Sequence, residues 1–272
     1  MSTKDKAITV FALLALFLGC KSSGGSNSGT SNAPAANASA ANTSATPAKP
    51  TSDGFIPSGT GTEKEAPAAG KGNVQGRAFF NEKPAAGVAV KLCQTFSQFL
   101  GGCGGETYTA RTDSNGEYLI KDVPPGVYEG LTVQVFDTPY YVFATSGIVS
   151  AAKYRIEEGK TYFAPDTHLF KQDLKLQGPK AGSKISASNV EVKWDAYPDA
   201  AYYKLSVYAD TQSGAKAEYD YINRRVDGTS FTLDKPLEPG TYRPVVEAYN
   251  GNDRRLARSP DDIKFTVTGG AK

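Results

Sequence analysis

The stretch Tyr108-Thr109-Ala110-Arg111-Thr112-Asp113-Ser114-Asn115-Gly116-Glu117-Tyr118-Leu119-Ile120 decides the fold class. Tyr108–Thr112 reads as a strand. Asp113–Gly116 reads as a turn, because Asn-Gly reaches positive φ at little cost. Tyr118 and Ile120 then alternate with Glu117, Leu119 and Lys121, at the period of a second strand. The same grammar extends in both directions. Upstream, Val74–Phe80 and Val88–Leu92 read as strands, separated by a turn at Asn81-Glu82-Lys83-Pro84. Downstream, Val123-Pro124-Pro125-Gly126-Val127-Tyr128 is a turn entering a strand in which Leu131, Val133 and Val135 share one face. No segment keeps a 3.6-residue apolar period. Many short strands with Gly/Pro turns predict an all-β chain built as a β-sandwich.

The pattern restarts after Gln177-Gly178-Pro179. Val190-Glu191-Val192-Lys193-Trp194 alternates, Tyr202–Tyr208 follows, and Tyr219 and Tyr221 lead to Ile222. Phe231-Thr232-Leu233 is short, Tyr242–Tyr249 is long, and Phe265-Thr266-Val267 closes the set. Two sandwiches in tandem are therefore expected, over residues 71–177 and 178–272.

Each half carries a family resemblance. Val74-x-Gly76, Pro84-Ala85-Ala86-Gly87-Val88-x-Val90-x-Leu92, Thr112-Asp113-x-Asn115-Gly116-x-Tyr118 and Pro125-Gly126-x-Tyr128 together resemble the carboxypeptidase regulatory-like domain. With Glu158-Gly159-Lys160-Thr161 and Leu174-Lys175-Leu176 as closing strands, that resemblance implies a transthyretin-like, seven-stranded, non-catalytic sandwich. Trp194, Ala200-Ala201-Tyr202-x-Lys204-Leu205, Leu237-Glu238-Pro239-Gly240-Thr241-Tyr242 and Val246-x-Ala248-Tyr249 resemble a fibronectin type III domain. There Tyr242 is placed to form a tyrosine corner. No Arg-Gly-Asp tripeptide is present, so no integrin-type contact is carried over.

The N-terminal segment sets the compartment. A small charged start, Lys4-Asp5-Lys6, precedes an apolar run from Ala7 that closes at Leu16-Phe17-Leu18-Gly19-Cys20. The run is too short to span a bilayer and has the size of a signal-peptide core. Small Gly19 before Cys20 resembles the lipobox of bacterial lipoproteins. The resemblance implies cleavage between Gly19 and Cys20 after a signal at 1–19, and lipid attached to the Cys20 sulfur. An ordinary secretory signal is the alternative. From Lys21 to Gly54 there is no Val, Leu, Ile or aromatic residue, so residues 20–70 read as a disordered Ser/Ala/Gly/Asn tether. About fifty such residues reach roughly 40 Å.

Composition excludes several function classes. Thirty basic residues face 28 acidic ones, which leaves no electrostatic footprint for nucleic acid. With Cys20 lipidated, Cys93 and Cys103 remain; an even pair suits an oxidising exported compartment and a disulfide, with two free thiols as the alternative. There is one histidine, His168. A His-based zinc site or a nucleophile–His pair would have to use it, and its setting, Thr167-His168-Leu169-Phe170, reads as a strand. Asp113, Asn115 and Glu117 have the spacing of a calcium loop but lack its remaining ligands, so they read as a turn. No metal, no cofactor and no catalytic residue is assigned.

Two segments are candidates for ligand contact. Residues 94–102 enlarge the loop between the second and third strands and place Phe96, Phe99 and Leu100 in it; they form either an apolar tip or a cap folded back onto the core. Tyr140, Tyr141 and Phe143 follow Pro139 as an aromatic cluster suited to a sugar ring or a protein, or to a plain core strand.

The expectation is a lipid-anchored, non-catalytic protein of the bacterial envelope, with the outer membrane or cell surface favoured. It presents two sandwiches to a protein or glycan, or spaces them from the membrane. The rivals are a glycan hydrolase using an unidentified carboxylate pair, and a structural subunit of an envelope assembly that pairs through an exposed strand edge.

Overall fold

A computed structural model describes residues 49–99, 102–146, 150–188, 190–213, 215 and 221–269. The signal at 1–19, Gly19, Cys20 and the tether up to residue 48 lie outside these described residues, as does Leu100.

The chain is all-β. In the first half the strands are β1 (Gly72–Phe80), β2 (Lys83–Pro84), β3 (Ala89–Ser97), β4 (Gly102–Arg111), β5 (Glu117–Val123), β6 (Gly126–Gln134), β7 (Tyr141–Phe143), β8 (Thr145–Ser146), β9 (Ser150–Ala151), β10 (Lys153–Ile156), β11 (Thr161–Phe163) and β12 (Thr167–His168). The second half holds β13 (Leu176–Gly178), β14 (Lys184–Ser186), β15 (Glu191–Trp194), β16 (Tyr202–Asp210), β17 (Arg224–Val226), β18 (Ser230–Thr232), β19 (Gly240–Tyr249), β20 (Arg255–Arg258) and β21 (Phe265–Thr268).

Each half is a two-sheet sandwich. In the first, β1 is central: β11 and β12 lie parallel along one side, β5 and β2 antiparallel along the other. The facing sheet runs β10-β6-β3-β4, with β7 beside β6. In the second, β13-β15-β18 faces β14-β21-β19-β16-β17, with β20 beside β19. The alternation in sequence is the reason. Val90 and Leu92, Leu131 and Val133, and Tyr118 and Ile120 point inward to one apolar cluster, while their neighbours point out. Trp194, Tyr203, Leu205, Val246, Ala248 and Phe265 build the second cluster, with the Trp194 and Tyr203 rings 5.5 Å apart.

The Asp113–Gly116 turn forms as its residues dictate. Asp113 Oδ1 accepts from the N–H groups of Asn115 (2.8 Å) and Glu117 (3.0 Å). Gly116 sits at φ +72, where a Cβ would lie 2.4 Å from the carbonyl oxygen of Ala78. The tyrosine corner expected at Tyr242 is present, its hydroxyl donating to Glu238 O at 2.9 Å. The first sandwich has one too, unforeseen: Tyr128 donates to Pro124 O at 2.9 Å. Both follow a Pro-Gly-x-Tyr string, Pro125–Tyr128 and Pro239–Tyr242.

Three expectations change. First, the tether does not run to residue 70. Residues 51–65 form a strap along the first sandwich. Ile56 is buried in its core, Ile56 N donates to Lys153 O (3.0 Å) and Gly59 N to Phe163 O (2.8 Å). Tyr162 Oη donates to Ile56 O at 2.8 Å. Further on, Lys64 and Glu65 pair with Asp113 and Lys121. A largely polar segment docks here through backbone and side-chain hydrogen bonds and one buried apolar side chain, Ile56. Second, much of the segment 94–102 is strand: β3 runs to Ser97 and β4 begins at Gly102, with Thr95 opposite Gly104, Phe96 opposite Cys103 and Ser97 opposite Gly102. Cys93 and Cys103 are disulfide-bonded with Cα atoms 5.3 Å apart. Third, Leu174 and Leu176 do not close the first sandwich. Leu174 is buried in the second core and Leu176 packs against it, and β13 pairs with β15. A Leu-x-Leu pattern suits either sheet, so the alternation alone did not choose.

The two sandwiches are docked. Leu169 ends one core and Leu174 begins the other. Between them Lys171 exchanges backbone hydrogen bonds with Leu256 and Arg258, and its ammonium lies over Phe80 and Phe136. The Asn81-Glu82 turn reaches into the second sandwich: Asn81 Nδ2 donates to Asp199 (2.8 Å), Asn81 Oδ1 accepts from Asn250 (2.9 Å), and Arg254 Nε donates to Glu82 (3.2 Å).

Candidate functional site

The outer face of the β10-β6-β3-β4 sheet carries the best candidate. Strand alternation sets its composition. Along β7, Val142 packs on the core, as do its neighbours Tyr140 and Ala144, so Tyr141 and Phe143 stand on the outer side. Lys91, between inward Val90 and Leu92, stands there as well. β6 aligns Thr132 with Phe143 and Gln134 with Tyr141, and β3 aligns Lys91 with Thr132. The Lys91 ammonium lies 5.4 Å from the centre of the Tyr141 ring and 3.5 Å from its hydroxyl.

Phe96 joins this strip because of one glycine. Gly130 has φ +66, and a Cβ there would lie 2.4 Å from Phe96 Cβ and Cγ. The kink at Gly130, with register shifts in both β3 pairings, lets the Phe96 ring lie across β6 and meet Phe143 at 4.7 Å. The result is a half-buried aromatic strip of Phe96, Phe143 and Tyr141 with one ammonium beside it. Its rings offer flat apolar faces, and its polar tips are Lys91 Nζ and Tyr141 Oη.

Of the four residues singled out from sequence, the structure gathers Phe96 and Tyr141. Tyr140 turns inward and packs on the first core. Phe99 stays at the hairpin tip, 50 % exposed. Lys91 was not foreseen as a site residue, although its place between two inward apolar residues already put it on the outer face.

Other candidates are spent on structure. Lys64 Nζ sits 2.7 Å from both Asp113 Oδ2 and Glu117 Oε2, so an internal ammonium fills the turn that has calcium-loop spacing. The Lys64 hydrogen bond holds the Asp113 carboxyl below its ordinary range, and Asp113 in turn raises Lys64. His168 lies half-buried on β12, stacked on Phe79 at 5.6 Å; burial and then the Arg254 charge hold it below its ordinary value. Among the described residues no group of three His, Cys, Asp or Glu side chains is placed to hold a metal. An open depression of about 340 Å³ lies between the strap and β10, lined by Thr51, Asp53, Phe55, Arg155, Glu157 and Tyr162; its guanidinium is stacked on Phe55 at 4.8 Å.

No protein-family model matches the chain, and no curated protein matches it. Solved structures with some likeness include fibronectin(III)-like modules of CbhA from Clostridium thermocellum, at 15 % identity, covering 36 % of this chain and 99 % of that one, with a TM-score of 0.26. The FN1–FN3 domains of chicken CNTN1 are 16 % identical over 74 % of this chain and 66 % of that one, with a TM-score of 0.25. BcpA, the major pilin subunit of Bacillus cereus, is 15 % identical over 73 % of this chain and 69 % of that one, with a TM-score of 0.26. Likeness this distant carries no argument about function.

Proposed function

We propose that this chain is a non-catalytic binding module of a bacterial envelope, held to the membrane by lipid on Cys20, and that it contacts envelope glycan through the Phe96–Phe143–Tyr141 strip. The observation that carries the reading is the strip itself. Three half-buried rings lie on one sheet face with an ammonium and a phenol at their rim. Sugar rings present apolar C–H faces edged by hydroxyls, and such a surface stacks the faces and hydrogen-bonds the edges. An open, shallow strip suits a long polymer better than an enclosed small molecule. The contacts between the sandwiches, through Lys171 and the Asn81-Glu82 turn, support the spacing part of the role. Attachment to the membrane then raises the local concentration of a weak binder.

The engagement of Asp113 and Glu117 with Lys64, and the packing of His168 against Phe79, support the non-catalytic part. A protein partner contacting the exposed Phe99 tip is the second reading. Cell fractionation of wild type against Cys20→Ala tests the anchor: the wild type should sediment with membranes and the variant should not. Retention on insoluble envelope polysaccharide tests the ligand. Retarded migration is expected, whereas binding only to envelope proteins would favour the second reading. Turnover of a glycan, abolished by changing one carboxylate, would overturn the non-catalytic account.

A further inference from the structure

The borders of the first sandwich are treated unequally. The strap dresses one side: Gly54 and Ile56 bond to Lys153 on the β10 edge, and Gly59 bonds to Phe163 on the β11 edge. On the other side, β5 is irregular and charged, with Lys121 paired to Glu65 and Asp122 at φ +58. β4 lacks the strap, and its irregularity is confined to one end, where Gly105 has φ +69 and the register against β3 shifts between Cys93 and Thr95; Thr107–Arg111 is regular, with Arg111 its one charge. It pairs with β3 along Gly102–Arg111 and with no other strand among the described residues. The outer strands of the second sandwich, β13, β14, β17 and β18, are three residues long, and β17 carries Arg224 and Arg225. Short and charged edges resist pairing; a long edge without Pro or Lys invites it.

The unpaired groups of β4 can be named. Thr112 N donates to Val88 O at 3.0 Å, so Thr112 faces β3. Antiparallel ladders alternate, so Ala110 and Tyr108 also face β3, while Thr107, Thr109 and Arg111 turn their N–H and C=O groups outward. All three are exposed.

We infer that β4 pairs antiparallel with β4 of a second copy of this chain, centred on Thr109. The two-fold axis stands perpendicular to the sheet, which is the symmetry that keeps each face on its own side. Thr109 then opposes its own counterpart. Thr107 opposes Arg111 twice, so no like charges meet. On the core side Tyr108 opposes Ala110 twice, a large ring beside a small residue. In this register the segment meets itself without like-charge contact and with a large ring beside a small residue, and this is the ground for assigning a second copy as occupant. The sheet becomes continuous through β3-β4 of one copy into β4-β3 of the other, and both Phe96–Tyr141 strips come to lie on one face. The inference stands on the edge alone and does not depend on what the strip binds.

The test is the association state of the full chain in detergent, by sedimentation velocity over a concentration series, with two variants. Thr109→Pro removes an outward N–H and leaves the β3 ladder intact; it should raise the dimer dissociation constant about tenfold or more without changing the circular dichroism spectrum. Thr109→Cys should cross-link to dimer with a short bis-maleimide, whereas Lys180→Cys at an exposed turn, and the parent protein, should not. If Thr109→Pro fails to fold, the cross-link decides. A monomer at every concentration, a dimer indifferent to Thr109→Pro, or equal cross-linking at positions 109 and 180 overturns the inference.

Discussion

Both sandwiches turn aromatic side chains outward, on the β10-β6-β3-β4 sheet of the first and the β14-β21-β19-β16-β17 sheet of the second, yet they treat them differently. In the second, each outward tyrosine on β16 and β19 is covered by a cation. Arg225 lies 4.0 Å over Tyr202, Lys204 lies 4.4 Å over Tyr249, and Arg243 lies 5.0 Å over Tyr208. Carboxylates close the grid, with Tyr202 donating to Asp253 and Tyr249 to Glu247, both at 2.8 Å. That face satisfies itself. In the first sandwich, Lys91 lies over Tyr141, while Phe96 and Phe143 pack on each other. The same strand alternation thus yields one face whose rings are capped by cations and one whose rings mainly meet each other. Aromatic residues on a sheet do not mark a site until their partners are counted.

The largest expected effect falls on the hinge of that contrast. Gly130→Ala places a Cβ against Phe96 at positive φ and should destabilise the fold by about 2–4 kcal/mol. Gly159→Ala sits at a similar φ of +68 with nothing within 4 Å and should cost only about 1 kcal/mol. Denaturant melts of both variants separate strain from collision; equal losses would mean that Phe96 does not rest on Gly130. Next come the two tyrosine corners, where the sandwiches should agree. Tyr128→Phe and Tyr242→Phe should each lose about 0.5–1.5 kcal/mol in the same melts, the worth of one hydrogen bond. A loss confined to one of them would break the equivalence of the two turns.

The smallest effect is a pH dependence where the sandwiches meet. His168 lies near Arg254, Glu82 and Asp166, and burial holds it below its ordinary value of 6.5. The unfolded chain therefore takes up its proton first as pH falls. The contribution is full above the ordinary value and is lost as pH drops through the lower folded value. Melting temperatures on either side of 6.5 should show His168→Gln to be less acid-sensitive than wild type. An unchanged acid slope would remove His168 from the account.

Much of this was legible in the sequence because period-two patterns are local. Val90/Leu92 and Tyr118/Ile120 named their own inward faces, and Asn115-Gly116 named its turn. What failed was non-local. The strap is polar and reads as tether, since its docking depends on Lys64 meeting Asp113 and Tyr162 meeting Ile56 across the chain. Gln94–Ser97 and Gly102 read as loop, although the pairing of β3 with β4 makes them strand. The strip was half visible: Tyr141 and Phe143 lie two residues apart, but Phe96 joins them only through the kink at Gly130. The corner at Tyr128 was present in the Pro-Gly-x-Tyr string shared with Tyr242, and comparing the two halves would have exposed it.

The most direct test is a pair of binding isotherms on solubilised envelope polysaccharide, one for Tyr141→Ala and one for Tyr249→Ala. The account predicts about a tenfold or greater loss of affinity for Tyr141→Ala, the worth of one well-stacked ring, and wild-type binding for Tyr249→Ala. Undiminished binding by Tyr141→Ala, or an equal loss in both variants, would contradict it.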